Sequence, residues 1–502
     1  MSVNTGCKQR VASHRGRSNE VHPSSLICAM QMHAVSQPEA TAIVEMHEGG
    51  RTCSWSDLMQ LTTQRAVALR QHVEIGQTLI TALPSGIESI GWFCGAIAAG
   101  VRILPMHTQV AAAEAGAAMD QAGAVAAVSA PGIRAARTLR RLTTVPLNGG
   151  GAAGTNDTCP AEATGAVILE SSGTSGLPKL VLRESTALDA VAQSVRTGLT
   201  LCADDRIVFP TPLSHSYGVD VLVAAITSGA TLCVMNQFDP DRVAREIESA
   251  ATILLGVPFI YESLARQSSK RTSTLRVALS AGSPLLNLVR SRFGEAWSVD
   301  VGQLYGTTEL GTVAMSIPGT HSDTPGSIGP PLPGVEMSIV DIEDPSIRVA
   351  AGEEGQLLVR APSMLTACLN GDVDRVQGHL MTGDLARMDD HGHVWITGRL
   401  KLMVDVGGYK VNPLEVEAVL ASHPAVQEAV VVPIVQSPTI RRLRAVVVLR
   451  DDSPRLSGDQ LRAFLKDRLS VAKVPRIVNF VSSLPKSSTG KIQRAQIVSD
   501  WI

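Results

Sequence analysis

A chain of 502 residues is too long for one hydrophobic core, so at least two domains are expected. Its 44 Lys and Arg against 46 Asp and Glu leave a formal charge of −2, which excludes a protein held to nucleic acid by bulk charge. The 44% apolar and 18% charged residues are an ordinary globular balance, and with 3% aromatics the core must be built mostly from Ala, Val, Leu and Ile.

Residues 1–24 carry Lys8, Arg10, Arg15 and Arg17 with no apolar run behind them, and read as a flexible basic tail rather than a secretory signal. From residue 25 short β-branched runs alternate with helical patterns. The spacing predicts a strand at 77–82, a helix at 86–99 and a strand at 123–129. The long apolar stretch from Ile87 to Leu104 is broken by Glu88 and bounded by Arg102, so it reads as a buried helix and no membrane span is predicted. Residues 147–164, rich in Gly, Ala, Thr and Asn, are predicted to be a loop. Strands at 166–169, 252–255 and 275–279, with a helix at 240–250 capped by Asp239, complete an alternation that argues for α/β layers with parallel sheets.

The last hundred residues read as a separate α+β unit. Asn412 is predicted to cap a helix running to about 421, with Pro413 in its first turn and Glu415 reaching back to the cap. Strands follow at 426–432, 444–449 and 477–481, with a helix at 458–469. The expected organisation is a tail at 1–24, a large domain at 25–398 and a small domain at 399–502. The eight cysteines form no CxxC pair and no metal-ligand spacing with His, so they read as reduced thiols of a cytoplasmic protein.

Four segments carry chemistry. Ser171-Ser-Gly-Thr-Ser-Gly-Leu-Pro-Lys179 follows a strand, and its amides and hydroxyls could wrap an anion, although a surface turn fits it as well. It lacks the Gly-Lys-Ser/Thr ending of a Walker loop. Tyr305-Gly-Thr-Thr-Glu309 offers an aromatic ring for a base, hydroxyls for a phosphate and a hard carboxylate for Mg²⁺, or else a plain strand-end turn. Met381-Thr-Gly-Asp384 with Gly398-Arg399 offers a carboxylate for ribose hydroxyls, or a turn aspartate. Pro485-Lys-Ser-Ser-Thr-Gly-Lys491 offers a lysine on a Gly-containing loop, or a solvated basic loop.

Together with Ala82-Leu-Pro-Ser-Gly-Ile87, these segments stand in an order and at a spacing that resemble the adenylate-forming superfamily, over roughly residues 25–500. That superfamily includes acyl- and aryl-CoA synthetases, peptide-synthetase adenylation domains and luciferases. The resemblance implies ATP-dependent activation of a small carboxylic acid to an acyl-adenylate with release of pyrophosphate, then transfer to a pantetheine thiol. It implies ATP, Mg²⁺ and either CoA or the phosphopantetheine of an acyl-carrier protein. The implied fold is a large domain of layered, mostly parallel sheets with a small mobile α+β domain.

By the same resemblance Ser171, Ser172, Gly173, Thr174, Ser175, Gly176 and Lys179 hold the pyrophosphate end of ATP. Ser280, Ala281 and Gly282 flank the base, and Tyr305 with Gly306 stacks on it. Thr307 or Thr308 touches the α-phosphate, Glu309 binds Mg²⁺, and Asp384 with Arg399 takes the ribose. Lys491 bridges the carboxylate and the α-phosphate. Lys401 is the implied hinge and Gly408 lines the thiol tunnel. His215, Ser216, Tyr217 and Gly302 are the implied acid-pocket residues, with His215 equally well a packed core histidine. Ser216 stands where amino-acid-activating relatives place Asp, which argues against an α-ammonium, while the nearby Asp220 could restore it. Leu180, His379, Leu402 and Asp405 depart from the family's usual residues, and Asp405 puts the thiol step at issue. Against this stand loading of an acyl, aryl or amino acid onto a carrier protein, a non-catalytic nucleotide-binding protein, and a P-loop NTPase or kinase that would yield ADP.

Overall fold

The apolar run that begins at Ile87 divides in two. Helix Ile87–Ala99 is buried along most of its length, and Gly100 turns the chain into strand Arg102–Met106. That division sets the first sheet of the computed structural model, which describes residues 25–147, 165–171, 179–266, 272–406, 409–437, 440–450, 453, 456–486 and 492–499. Most of the predicted loop at 147–164, together with Ser172, Gly173, Thr174, Ser175, Gly176, Gly408 and Lys491, lies outside the described residues.

The first sheet has seven strands in the order Ala367–Cys368, Lys179–Glu184, Ala166–Ser171, Arg102–Met106, Thr78–Ala82, Ala124–Ser129 and Thr143–Thr144. The pairs among Ala166–Ser171, Arg102–Met106, Thr78–Ala82, Ala124–Ser129 and Thr143–Thr144 are parallel, and Lys179–Glu184 is antiparallel to Ala166–Ser171. A second sheet of eight strands runs Gly311–Ser316, Val301–Thr307, Val277–Ala281, Ile253–Gly256, Arg206–Phe209, Thr231–Val234, Thr41–Glu45 and Thr52–Ser54. Its two outermost pairs are antiparallel and the rest parallel. Helices Trp55–Arg70, Ile87–Ala99, Ser185–Leu199 and Ser216–Ser228 fill the space between, and one core joins Leu79, Ile103 and Val167 of the first sheet to Ile207, Leu232 and Leu279 of the second. Ala and Val supply much of the helix faces, with Trp55, Trp92 and Phe93 as the large side chains, and together they let two sheets close on one helical layer.

A third, antiparallel sheet contains Glu336–Val340, Gly355–Arg360, His379–Met388, Arg375–Val376 and Val394–Arg399. Its Ile339, Leu357, Val359 and Leu380 pack with Val181, Leu310 and Val313, which brings His379–Met388 beside Val301–Thr307. Residues 381–384, for which a turn was the alternative to a ribose-binding carboxylate, therefore lie in a strand. It is an interrupted one: Leu358 faces Met381 while Gln356 faces Leu385, so the strand bulges between them, with Gly383 at φ +72°.

The C-terminal unit is a sheet of Val426–Ser437, Ile440–Leu449 and Ile477–Phe480, with Val416, Leu420, Leu461 and Leu465 of its two helices in a common core with Val431, Leu443 and Ala445. Its first two strands are longer than expected because they pair as one hairpin, and the second helix stops at Lys466 rather than 469. Asn412 caps the helix Pro413–Ala421 by accepting from the Leu414 amide at 3.1 Å. Glu415 does not reach back to the cap; it pairs with the Lys473 ammonium at 2.6 Å, a stronger partner than a backbone amide. The Asn412 amide instead donates to Thr397 O at 2.7 Å, tying the small unit to the last strand before it. Among the described residues no helix is long and apolar enough to cross a membrane.

Candidate active site

Strand Val301–Thr307 does not end at Leu304 but runs on through Tyr305 into a hairpin with Gly311–Ser316. Tyr305 is half-buried, and its hydroxyl donates to Asp384 Oδ2 at 2.7 Å across the gap to the third sheet. The bulge at Gly383 aims Asp384, whose backbone amide is held by Thr382 Oγ1 at 3.1 Å. Arg399, directly opposite Asp384 on the neighbouring strand, donates from Nε to Oδ1 at 2.5 Å. Burial and the charge of Asp384 both push the Tyr305 hydroxyl well above its ordinary pKa, so it stays a donor. Burial works to lower the Arg399 guanidinium, but the Asp384 carboxylate outweighs it and raises it, with Glu309 adding to the effect. Tyr305, Asp384 and Arg399 thus form one hydrogen-bonded cluster, and the charge of Glu309 is felt at Arg399.

Ser171 and Lys179 face each other at the end of the antiparallel pair that flanks residues 172–178. Ser171 is buried, and Lys179 donates to the backbone carbonyl of Asp372 at 2.6 Å. Leu180, where the family usually has Gly, is a core residue, and its amide donates to Asn370 Oδ1 at 2.6 Å. Ser280 and Ala281 end a buried strand, and Gly282 is exposed just beyond it. Ser280 Oγ and Thr307 Oγ1 are buried with no hydrogen-bond partner among the described residues. Such orphaned hydroxyls are the polar lining a nucleotide could satisfy. Gly306 is exposed and Thr308 and Glu309 are partly exposed at the hairpin tip. The Glu309 side chain has no hydrogen-bond partner among the described residues, and no cluster of three or more His, Cys, Asp and Glu that could cage a metal is found there. One free carboxylate beside substrate phosphates is nevertheless how Mg²⁺ is usually held.

Pro212 to Tyr217, the segment of the expected acid pocket, lead into helix Ser216–Ser228, with His215 as its N-cap residue. The Leu213 amide donates to Ser85 Oγ at 3.1 Å, so the Ala82–Ile87 motif buttresses this segment. Ser216 is partly exposed. Tyr217 packs edge-on to Phe209 at 5.1 Å, and burial, with Asp220 second, pushes its hydroxyl far up. Asp220 is not available to an ammonium. Its Oδ1 accepts from Arg183 Nη1 at 2.8 Å, and its Oδ2 from the Thr312 amide at 2.8 Å and Thr312 Oγ1 at 3.0 Å. Sequence reading missed Arg183, though an arginine directly after the apolar Leu180-Val-Leu182 run was a signal. Gly302 also departs from expectation. A Cβ there would lie 2.0 Å from Ser316 O and 2.7 Å from Leu279 Cδ2, so close strand packing, not a pocket, requires the glycine.

In the small unit, Lys401 is exposed in the single 3₁₀ turn Leu400–Leu402, and Asp405 is exposed on strand Val404–Val406. The Gln493 amide donates to Pro485 O at 2.9 Å, and Arg494 makes a two-pronged pair with Glu417 at 2.5 and 2.6 Å. These bonds pin the flanks of 487–491. Lys486 pairs with Glu428 at 2.7 Å and stands 5.7 Å from the Phe259 ring of the large domain.

Residues 30–367 match the AMP-binding enzyme family, and residues 415–491 match the AMP-binding enzyme C-terminal domain. Among curated relatives, 4-coumarate–CoA ligase 5 of Oryza sativa subsp. japonica is 29% identical over 494 residues, covering 89% of each chain. Among solved structures, ATP-bound MatB from Rhodopseudomonas palustris superposes with a TM-score of 0.86 at 25% identity, over 95% of this chain and 99% of that one. Amide bond synthetase McbA from Marinactinospora thermotolerans gives a TM-score of 0.82 at 25% identity with the same coverage. With its two domains, its Tyr305–Asp384–Arg399 cluster and these likenesses, the chain belongs to the AMP-binding enzyme family, as an adenylate-forming ligase of the acyl-CoA synthetase type.

Proposed function

We propose that this enzyme joins a small carboxylic acid to the α-phosphate of ATP, releases pyrophosphate, and passes the acyl group to the thiol of CoA. The observation that carries the nucleotide half is the cluster of Tyr305, Asp384 and Arg399. An ionised carboxylate accepts about four hydrogen bonds, and Tyr305 and Arg399 use one on each oxygen of Asp384. Each oxygen keeps a lone pair for a ribose hydroxyl. Asp384 is 3% exposed and Arg399 53%, so the ribose reaches the carboxylate as Arg399 swings aside. The Tyr305 ring, flanked by the 280–282 turn, takes the base, Thr307 or Thr308 takes the α-phosphate, and the 171–176 segment takes the pyrophosphate end. Glu309 would hold Mg²⁺, which when bound neutralises the phosphate oxygens.

A carboxylate oxygen of the acid, held against the 215–217 wall, attacks the α-phosphorus, and the bond to pyrophosphate breaks. Lys491 places a positive charge where negative charge develops at that phosphorus. Movement about Lys401 then withdraws Lys491 and brings Gly408 to the site, the thiol sulfur attacks the acyl carbonyl, and AMP leaves. The domain boundary is proposed to fall at 398–401. A second acceptor, the phosphopantetheine of a carrier protein, is favoured by Asp405, exposed where many CoA ligases carry lysine.

The test is product analysis. Aliphatic, aryl and amino acids are incubated with ATP and Mg²⁺, alone, with CoA, or with a phosphopantetheinylated carrier protein, and AMP, pyrophosphate and thioester are measured. AMP and pyrophosphate with an acyl-CoA are expected. ADP and phosphate would overturn the reading, and thioester only on the carrier protein would assign the second acceptor.

A further inference from the structure

Strand Lys179–Glu184 directs Leu180 and Leu182 into one core and Val181 and Arg183 to its opposite face. Arg183 is 0% exposed and its partner Asp220 2%, so the pair is fully desolvated. One guanidinium nitrogen, Nη1, serves both Asp220 Oδ1 at 2.8 Å and Ser216 Oγ at 3.4 Å. The others, Nε and Nη2, find no hydrogen-bond partner among the described residues. The turn after Glu309 lies directly on the group: a Cβ at Gly311 would be 2.7 Å from Nη2. Three segments therefore meet on one buried cation, namely the strand after the 171–179 segment, the helix after His215, and the Tyr305–Thr312 hairpin.

We infer that Arg183 is a positioning residue that sets the polarity of the acid pocket. The acid this enzyme activates then carries an oxygen acceptor (a hydroxyl, an oxo group or a second carboxylate) beside the reacting carboxylate, and not an α-ammonium. The inference rests on the reading of 215–217 as the acid wall. A hydroxyl that accepts from a cation keeps its own O–H to donate. Ser216 is partly exposed and Arg183 is not, and with 215–217 as the acid wall that O–H is the one left to donate to the acid. An ammonium placed there would meet a donor, with a like charge behind it and with both oxygens of Asp220 already engaged. An oxygen acceptor would meet a donor whose polarity the guanidinium reinforces.

The experiment compares matched acids in acid-dependent pyrophosphate release: propanoate, 2-hydroxypropanoate and alanine; 3-phenylpropanoate, 2-hydroxy-3-phenylpropanoate and phenylalanine; benzoate and 2-hydroxybenzoate. Within the set that fits the pocket, the oxygen-bearing acid is expected to exceed the unsubstituted and amino acids in kcat/KM by about tenfold, the worth of one good hydrogen bond. Ser216→Ala should erase that ratio through the KM for the acid, leaving the KM for ATP unchanged. Arg183→Met should do the same and Arg183→Lys should keep part of the ratio, a graded response that a purely structural role would not produce. Should Arg183→Met not fold, Ser216→Ala, at a partly exposed site, still decides. A preference for the amino acid or the unsubstituted acid, or a ratio that survives Ser216→Ala, overturns the inference alone. Release of no pyrophosphate with any acid overturns the functional reading and the inference with it.

Discussion

At the proposed nucleotide end, Tyr305 reaches Asp384 from the second sheet at 2.7 Å and Arg399 reaches it from the neighbouring strand at 2.5 Å, each residue displaying its own chemistry. At the acid end, Ser216 and Tyr217 stand on the first turn of a helix, and the polarity they present is set from behind by Arg183 and Asp220. The first end is built from side chains that would touch the ligand. The second is built from side chains that touch the side chains that would. Nucleotide chemistry is fixed, so direct residues suffice for it. An acid pocket that differs between relatives can be retuned from one layer further in.

The largest expected effect belongs to neither end. Lys491→Ala should lower acid-dependent pyrophosphate release by about 10²-fold or more, the scale for removing a group aimed at transition-state charge. Thiol transfer from supplied acyl-AMP should persist. Equal loss of both half-reactions would mean that the lysine supports the cleft as a whole and that the two ends are not served separately.

Asp384→Asn should separate the ends most clearly. Loss of the charged acceptor should cost about 2 kcal/mol, or roughly thirtyfold in the KM for ATP. The KM for the acid should hardly move, and a matching rise in it would merge the two ends into one site. Tyr305→Ala should weaken ATP binding by about 1 kcal/mol, roughly fivefold, as expected for loss of an aromatic stack. Unchanged ATP affinity would remove Tyr305 from the nucleotide end.

The smallest effect concerns Glu170, which precedes Ser171. Burial, with the charge of Glu114 second, pushes its carboxyl from 4.5 up to about 7. The folded protein thus binds this proton more tightly than the unfolded chain does. The resulting stability is complete below about 4.5 and is lost as pH rises through about 7. Glu170→Gln should therefore flatten the fall in Tm between pH 5 and 8, leaving the variant about 2 °C above the parent at pH 8. Parallel melting curves would show that this strand end carries no such penalty.

The residues that meet at Asp384 were legible because they are identified by type and order. Tyr305 and Glu309 lie in one short motif, and Asp384 and Arg399 in the next. The helix caps at Asp239 and Asn412 were legible for the same reason, since a cap and the amides it serves are sequence neighbours. The Met381–Asp384 stretch left a turn aspartate open beside a ribose-binding carboxylate, and the third sheet absorbs the stretch as a bulge with Gly383 at φ +72°. Gly302 looked like pocket lining because the need for a bare backbone between two strands is invisible along the chain.

The sequence by itself determined the α/β class, the two-part organisation and the family, because periodicity, caps and short motifs are written over a few consecutive residues. Only the tertiary structure decided which charges are spent. Asp220 is committed to Arg183, 37 residues away, Lys179 to the carbonyl of Asp372, 193 residues away, and Glu415 to Lys473, 58 residues away. A buried or half-buried charge takes the partner that packing brings within 3 Å, and no local pattern records which partner that will be.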